Sequence, residues 1–126
     1  MPSMTRRTAL AAFAACALAT AVAFPAGAQP KAGEPLKIGF VYVSPIGDAG
    51  WTFQHDTGRK EMEKALGAKV TSKYIESVPE GDDAERVIRE LAQSGHQLIF
   101  TTSFGYMNPT IKVAGTFPKT QFEHAT

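Results

Sequence analysis

The stretch that most constrains this chain is KIGFVYVSPIGDAGW, Lys37 to Trp51. From Lys37 to Val43 it is rich in β-branched and aromatic residues and carries no charge after its first residue, the composition of a strand buried on both faces of a parallel sheet. From Ser44 to Gly50 it is a turn, with a proline that fixes φ, two conformationally permissive glycines and one carboxylate. The turn delivers the chain to an aromatic residue and a helical pattern. Open α/β sheets bind ligands at the loops leaving the carboxyl ends of their strands, so Asp48 and Trp51 are the first candidate site residues.

The rest of the chain repeats the same alternation. Residues 52–66 place Met62, Ala65 and Leu66 at helical spacing, with Gly58 where the helix can pass close to the sheet and Gly67 placed to stop it. Lys69 to Ile75 alternates apolar and charged residues and reads as an edge or near-edge strand with one wet face. Asp82 then stands three residues before Glu85 in the capping-box relation, and Ala84, Val87, Ile88, Leu91 and Ala92 form the clearest helical stripe in the chain. Leu98 to Thr102 is a short buried strand, followed by a second ligand-side loop, Ser103 to Met107. Asn108 and Pro109 are expected as N-cap and first residue of a third helix with Ile111, Ala114 and Phe117 inward, and Gln121 to Ala125 as a fourth strand.

Strand starts recur roughly 23 to 32 residues apart, the spacing of right-handed βαβ crossovers. The expected fold class is therefore α/β, a parallel sheet with helices on both faces. A sheet that stops at its fourth strand leaves an edge bare. The chain thus reads as the N-terminal lobe, residues 37–126, of a longer protein, preceded by an exposed lead-in at 29–36.

Residues 1–28 have the three parts of a secretory signal: Arg6 and Arg7, the apolar run Ala9 to Phe24, and the small-residue site Ala26-Gly27-Ala28. The run is short, rich in alanine and followed by Pro25, which favours a cleaved leader over a transmembrane anchor. Cleavage after Ala28 gives a periplasmic protein. The only cysteine, Cys16, lies within the leader and fits a lipoprotein processing box loosely, and the twin arginines are a similarly weak hint of twin-arginine export. Without Arg6 and Arg7 the 13 basic residues become 11 against 12 acidic ones, a net charge of −1, which gives no attraction to nucleic acid or anionic lipid.

In a doubly wound sheet the first and third strands are neighbours, so Asp48 and Trp51 would face Phe104 and Tyr106 across one crevice. Aromatic faces beside a carboxylate suit a flat solute that hydrogen-bonds at its edge. The same residues also suit a plainer role, with Trp51 and Phe104 anchoring their loops and Asp48 capping the following helix; composition leaves both open. His124, at the end of the fourth strand, is a further candidate for the crevice. Asp82 and Asp83 read as helix-capping residues rather than a metal pair, and His55, His96 and His124 lack ligand spacing, so no metal or cofactor is expected. The phosphate-loop, dinucleotide-loop and nucleophile-elbow motifs are missing, which weighs against an enzyme.

KIGFVYV, PIGDAGW, GRKEME, TTSFGYM and FEHAT together resemble the basic membrane protein family of ABC-importer substrate-binding proteins, which includes purine nucleoside receptors. The resemblance covers about residues 37–126. It implies a two-lobed type I periplasmic binding protein that closes around its solute and passes it to an inner-membrane ABC permease, a monomer without catalysis. By position it implies Trp51 stacking on the base, Asp48 gripping its edge, and Phe104 and Gly105 as further wall. Two alternatives are a sugar or autoinducer receptor of the same fold, and a small flavodoxin-like enzyme or regulatory domain.

Overall fold

A computed structural model describes residues 31–126; the leader and the first part of the lead-in lie outside the described residues. The elements run β1 (Leu36–Val41), α1 (Trp51–Leu66), β2 (Val70–Ile75), α2 (Asp82–Gln93), β3 (Leu98–Thr101), α3 (Met107–Ala114) and β4 (Gln121–His124), with 3-10 turns at Gly67–Lys69 and Phe104–Tyr106. All three strand pairings are parallel and the strand order is β2-β1-β3-β4. β1 and β3 are neighbours, as expected of a doubly wound sheet, and β2 is an edge strand. Among the described residues no helix is long and apolar enough to cross a membrane.

The two faces of β1 feed two cores. Ile38, Phe40 and Tyr42 pack with Val70, Met62 and Phe100 on the face covered by α1. Val41 joins Ile99 and the inner residues of α2 and α3 on the other face. α2 follows its sequence stripe: Ala84, Val87, Ile88, Leu91 and Ala92 are all buried. It comes close because Gly39 lies beneath it, where a Cβ would stand 3.1 Å from Leu91.

The helix ends and inner faces depart from expectation in four places. Asp82 and Glu85 form no capping box: Gly81 is the N-cap, there is no side-chain cap, and the Glu85 N–H bonds instead to the Gly81 carbonyl at 3.0 Å. Asp82, Asp83 and Glu85 serve α2 as first-turn negative charges facing its dipole. α3 begins earlier than Asn108, because the 3-10 turn at Phe104–Tyr106 runs directly into it and makes Tyr106 the N-cap. Its register turns Thr110 and Val113 inward and leaves Ile111 65% exposed.

In α1 the buried residues are Thr52, Asp56 and Arg59, while Ala65 and Leu66 are exposed and a Cβ at Gly58 would meet nothing within 4 Å. α1 is therefore docked by polar side chains. Arg59 bonds Asp56 at 2.8 Å, Glu63 at 3.2 Å and the Ser72 hydroxyl at 3.0 Å, and its guanidinium sits 4.8 Å over the Tyr74 ring. A buried ion pair of this kind fixes the rotation of a helix more than it stabilises the fold.

Candidate functional site

The turn after β1 ends in two glycines with positive φ, Gly47 at 58° and Gly50 at 94°, and Gly50 is the N-cap of α1. The left-handed backbone at Gly50 places Trp51 at the first helical position, on the rim at the carboxyl ends of the strands. There the indole Nε1–H donates to the Thr102 carbonyl at 2.6 Å, a bond that joins the loop after β1 to the loop after β3. The ring remains 49% exposed, with His55 edge-on at 4.5 Å. Its one polar atom is committed to the protein, so what it presents to solvent is an aromatic face.

Phe104 lies two residues beyond Thr102 and is 71% exposed. Asp48 is exposed. It does not cap α1, whose first turn has no side-chain cap. The structure thus brings Trp51 together with the start of the Phe104 loop and leaves Asp48 in the solvent-facing turn beside them.

The other sequence candidates stand differently. Tyr106 is fully buried and its hydroxyl donates to the Val78 carbonyl at 2.6 Å, so it anchors the loop from beneath instead of facing the crevice. Burial pushes its phenol up, and the Glu80 charge adds to that. The Gly105 N–H donates to Glu80 Oε1 at 3.0 Å, and a Cβ at 105 would overlap the Glu80 carboxylate. His124 Nδ1 pairs with the Thr101 hydroxyl at 3.1 Å, which in turn pairs with Thr110 at 2.9 Å. These contacts hold the His124 ring in the layer beneath α3.

Two hollows lie elsewhere on the surface. The larger, about 360 Å³ between α2 and α3, is lined by Asp82, Glu85, Arg86, Arg89 and Lys112. Glu85 pairs with Lys112 at 2.7 Å and with Arg89 at 2.9 Å, which makes this a solvated charged face with its partners already in place. The smaller, about 290 Å³, opens between α1 and the sheet and is lined by Phe40, Gln54, His55, Gly58, Arg59, Met62 and Phe100. Neither hollow includes Asp48, Trp51 or Phe104, and the exposed Trp51 and Phe104 rings form an open shelf. Among the described residues no group of three His, Cys, Asp or Glu side chains is placed to hold a metal ion.

Buried charge near the shelf sits under α1. The Tyr42 phenol is pushed up by burial, with Asp56 adding and Arg59 opposing. Burial alone would raise the Asp56 carboxyl, but Lys60 and Arg59 hold it below its ordinary value. Burial lowers His55 below its ordinary value, which favours the neutral form of the ring beside Trp51.

The architecture is a parallel α/β lobe with a half-exposed aromatic on the loop after its first strand. Residues 36–125 match the family of ABC transporter substrate-binding proteins described as PnrA-like, and the chain belongs to that family. A purine-binding protein of Brucella abortus (strain 2308) is 56% identical over 109 residues, covering 86% of this chain and 31% of the relative. A candidate ABC transporter glucose-binding protein of Haloferax volcanii is 41% identical over 100 residues, covering 79% of this chain and 25% of the relative. The fold is also that of ABC transporter solute-binding proteins solved from Conexibacter woesei and Aeropyrum pernix. Both have a TM-score of 0.60 at 23% identity, cover 69% and 71% of this chain, and are themselves covered over 28% and 24%. The chain spans less than a third of the length of the curated relatives it matches.

Proposed function

We propose that this chain supplies one wall of the solute site of an extracytoplasmic ABC-importer binding protein that takes a purine base or nucleoside. The observation that carries the reading is the Trp51 ring, tethered through Nε1 to Thr102 and half exposed on the rim shared with Phe104. A planar base stacks on such a face at a gain of roughly 1–3 kcal/mol. Asp48, exposed in the adjoining turn, accepts ring or exocyclic N–H groups or a ribose hydroxyl. Gly105 and Tyr106 act from below by holding the Phe104 loop. His124, held beneath α3, acts on the wall only indirectly, through the Thr101–Thr110 hydroxyl chain. The purine-binding relative, at 56% identity, supports this choice of solute.

In this reading the protein works as a monomer, closes by hinge motion against a second lobe, delivers its solute to an inner-membrane permease and performs no chemistry. The leader at 1–28 sends it to the periplasm. A sugar is the second reading, favoured by the candidate glucose-binding relative and by the suitability of an aromatic face for a pyranose ring. Calorimetric titration of the full-length protein with adenine, guanosine, inosine and glucose separates the two. Heat with a purine supports the first, heat with glucose alone supports the second, and no heat with any of the four removes both.

A further inference from the structure

The connection between β2 and α2 touches both loops that carry the proposed solute wall. Glu76 Oε2 accepts the Ile46 backbone N–H at 2.8 Å, within the turn after β1. Glu80 Oε1 accepts the Gly105 N–H at 3.0 Å and the Ser103 hydroxyl at 2.5 Å, within the loop after β3. Between the two glutamates Val78 is buried and acts as a plug. Its N–H bonds to the Tyr42 carbonyl at 3.0 Å, and its carbonyl takes the Tyr106 hydroxyl at 2.6 Å.

Two further observations show that the connection is built for these contacts. A Cβ at Gly105 would overlap the Glu80 carboxylate, so the absence of a side chain there is what admits the carboxylate. Ser77 has φ 57°, the one positive φ at a non-glycine among the described residues, a backbone state that persists only where its surroundings hold it.

We infer that Glu76 and Glu80 are positioning residues for the solute site: one plugged connection grips both ligand-side loops and sets the span between Trp51 and Phe104. The inference rests on the reading of those two rings as the solute wall. A carboxylate accepting a backbone N–H makes a charge-assisted bond, stronger than the bond to water that the loop would otherwise make. Four residues apart on either side of Val78, the two side chains hold the loops to a common support. Neither has to touch the solute.

The test uses the full-length protein with Glu76→Ala, Glu76→Gln, Glu80→Ala and Glu80→Gln. Solute affinity is measured by calorimetry, and amide hydrogen exchange is followed at Ile46 and Gly105. Each alanine variant is expected to bind about tenfold more weakly, the scale of one lost charge-assisted bond. Exchange should quicken at Ile46 in Glu76→Ala and at Gly105 in Glu80→Ala. Glutamine keeps an acceptor oxygen, so both glutamine variants should bind within about threefold of wild type, on the scale where tenfold is about 1.4 kcal/mol. Gly105→Ala displaces the Glu80 carboxylate without removing it and should match Glu80→Ala, which keeps the test open if an alanine variant fails to fold. Wild-type affinity in Glu80→Ala or in Gly105→Ala overturns the inference. So does equal loss in Glu80→Ala and Glu80→Gln with Gly105 still protected, the pattern of a direct solute contact. If the wild type binds no purine, the solute assignment fails by itself and the bracing is judged on exchange: faster exchange at Gly105 in Glu80→Ala but not in Glu80→Gln supports it, and unchanged exchange overturns it.

Discussion

Replacing Trp51 by phenylalanine and by alanine separates two jobs of one side chain. The indole tethers the loops after β1 and β3 through the 2.6 Å bond to the Thr102 carbonyl, and in the proposed site it offers the aromatic face on which the solute would lie. The ring is 49% exposed, so truncation to alanine forfeits about half of the roughly 3–5 kcal/mol lost at a fully buried tryptophan. The tether adds about 1 kcal/mol, for a total near 3 kcal/mol of folding stability. Phenylalanine keeps most of the ring and loses the N–H, which costs about 1 kcal/mol. Affinity should divide differently. Alanine loses the stacking, roughly 1–3 kcal/mol or about 5- to 150-fold, whereas phenylalanine stays within a few-fold of wild type. Urea unfolding gives the stabilities and calorimetric titration the affinities. If phenylalanine loses as much affinity as alanine, the aromatic face is not what binds and the stacking argument is wrong.

Asp56→Ala is expected to cost about 3–5 kcal/mol in urea unfolding, because it leaves the Arg59 guanidinium buried with its main partner gone. A cost under about 1 kcal/mol would mean that α1 is not docked by this pair. The same residue gives an acid-side slope. The folded-state value of Asp56 lies below its ordinary one, so its contribution is present above about pH 4 and lost as pH falls through the folded value; Asp56→Asn should flatten that part of the stability profile. His55 is also lowered in the fold by burial, so its contribution is complete above its ordinary value of 6.5 and lost as pH falls below it, and His55→Gln should lessen the decline on acidification below about pH 6.5. On α3, Ile111→Lys should change stability by no more than about 0.5 kcal/mol, since Ile111 is 65% exposed, whereas Val113→Lys at a fully buried position should prevent folding.

Much of the architecture is legible from periodicity alone. The uncharged runs at Lys37–Val43 and Leu98–Thr102 name the two central strands, the alternation at Val70–Ile75 names the edge strand, and the stripe from Ala84 to Ala92 places α2 with the correct inner face. The misreadings fall where a polar group does a hydrophobic residue's work. Thr110 turns inward because its hydroxyl satisfies the Tyr106 carbonyl at 2.7 Å and meets Thr101, and that swings Ile111 out to solvent. Asp56 and Arg59 hold α1 by pairing with each other, which no count of apolar residues reveals.

At the site, adjacency of β1 and β3 brings Trp51 to the Phe104 loop as the topology argument requires. What the chain order hides is the support. Glu80 accepts the N–H of a residue 25 positions away, a contact with no local signature. Tyr106, expected in the crevice from its place in the loop, is buried instead and donates its hydroxyl to the Val78 carbonyl of that support.

In the proposed site a planar solute lies on the exposed face of Trp51 with the Asp48 carboxylate at its edge. A crystal structure of the full-length protein with a bound purine tests it most directly. The base is expected parallel to the indole within stacking distance, with an Asp48 oxygen within hydrogen-bond reach of a ring or exocyclic nitrogen and the Nε1 tether to Thr102 intact. A purine seated elsewhere, with the Trp51 face still open to water, contradicts it.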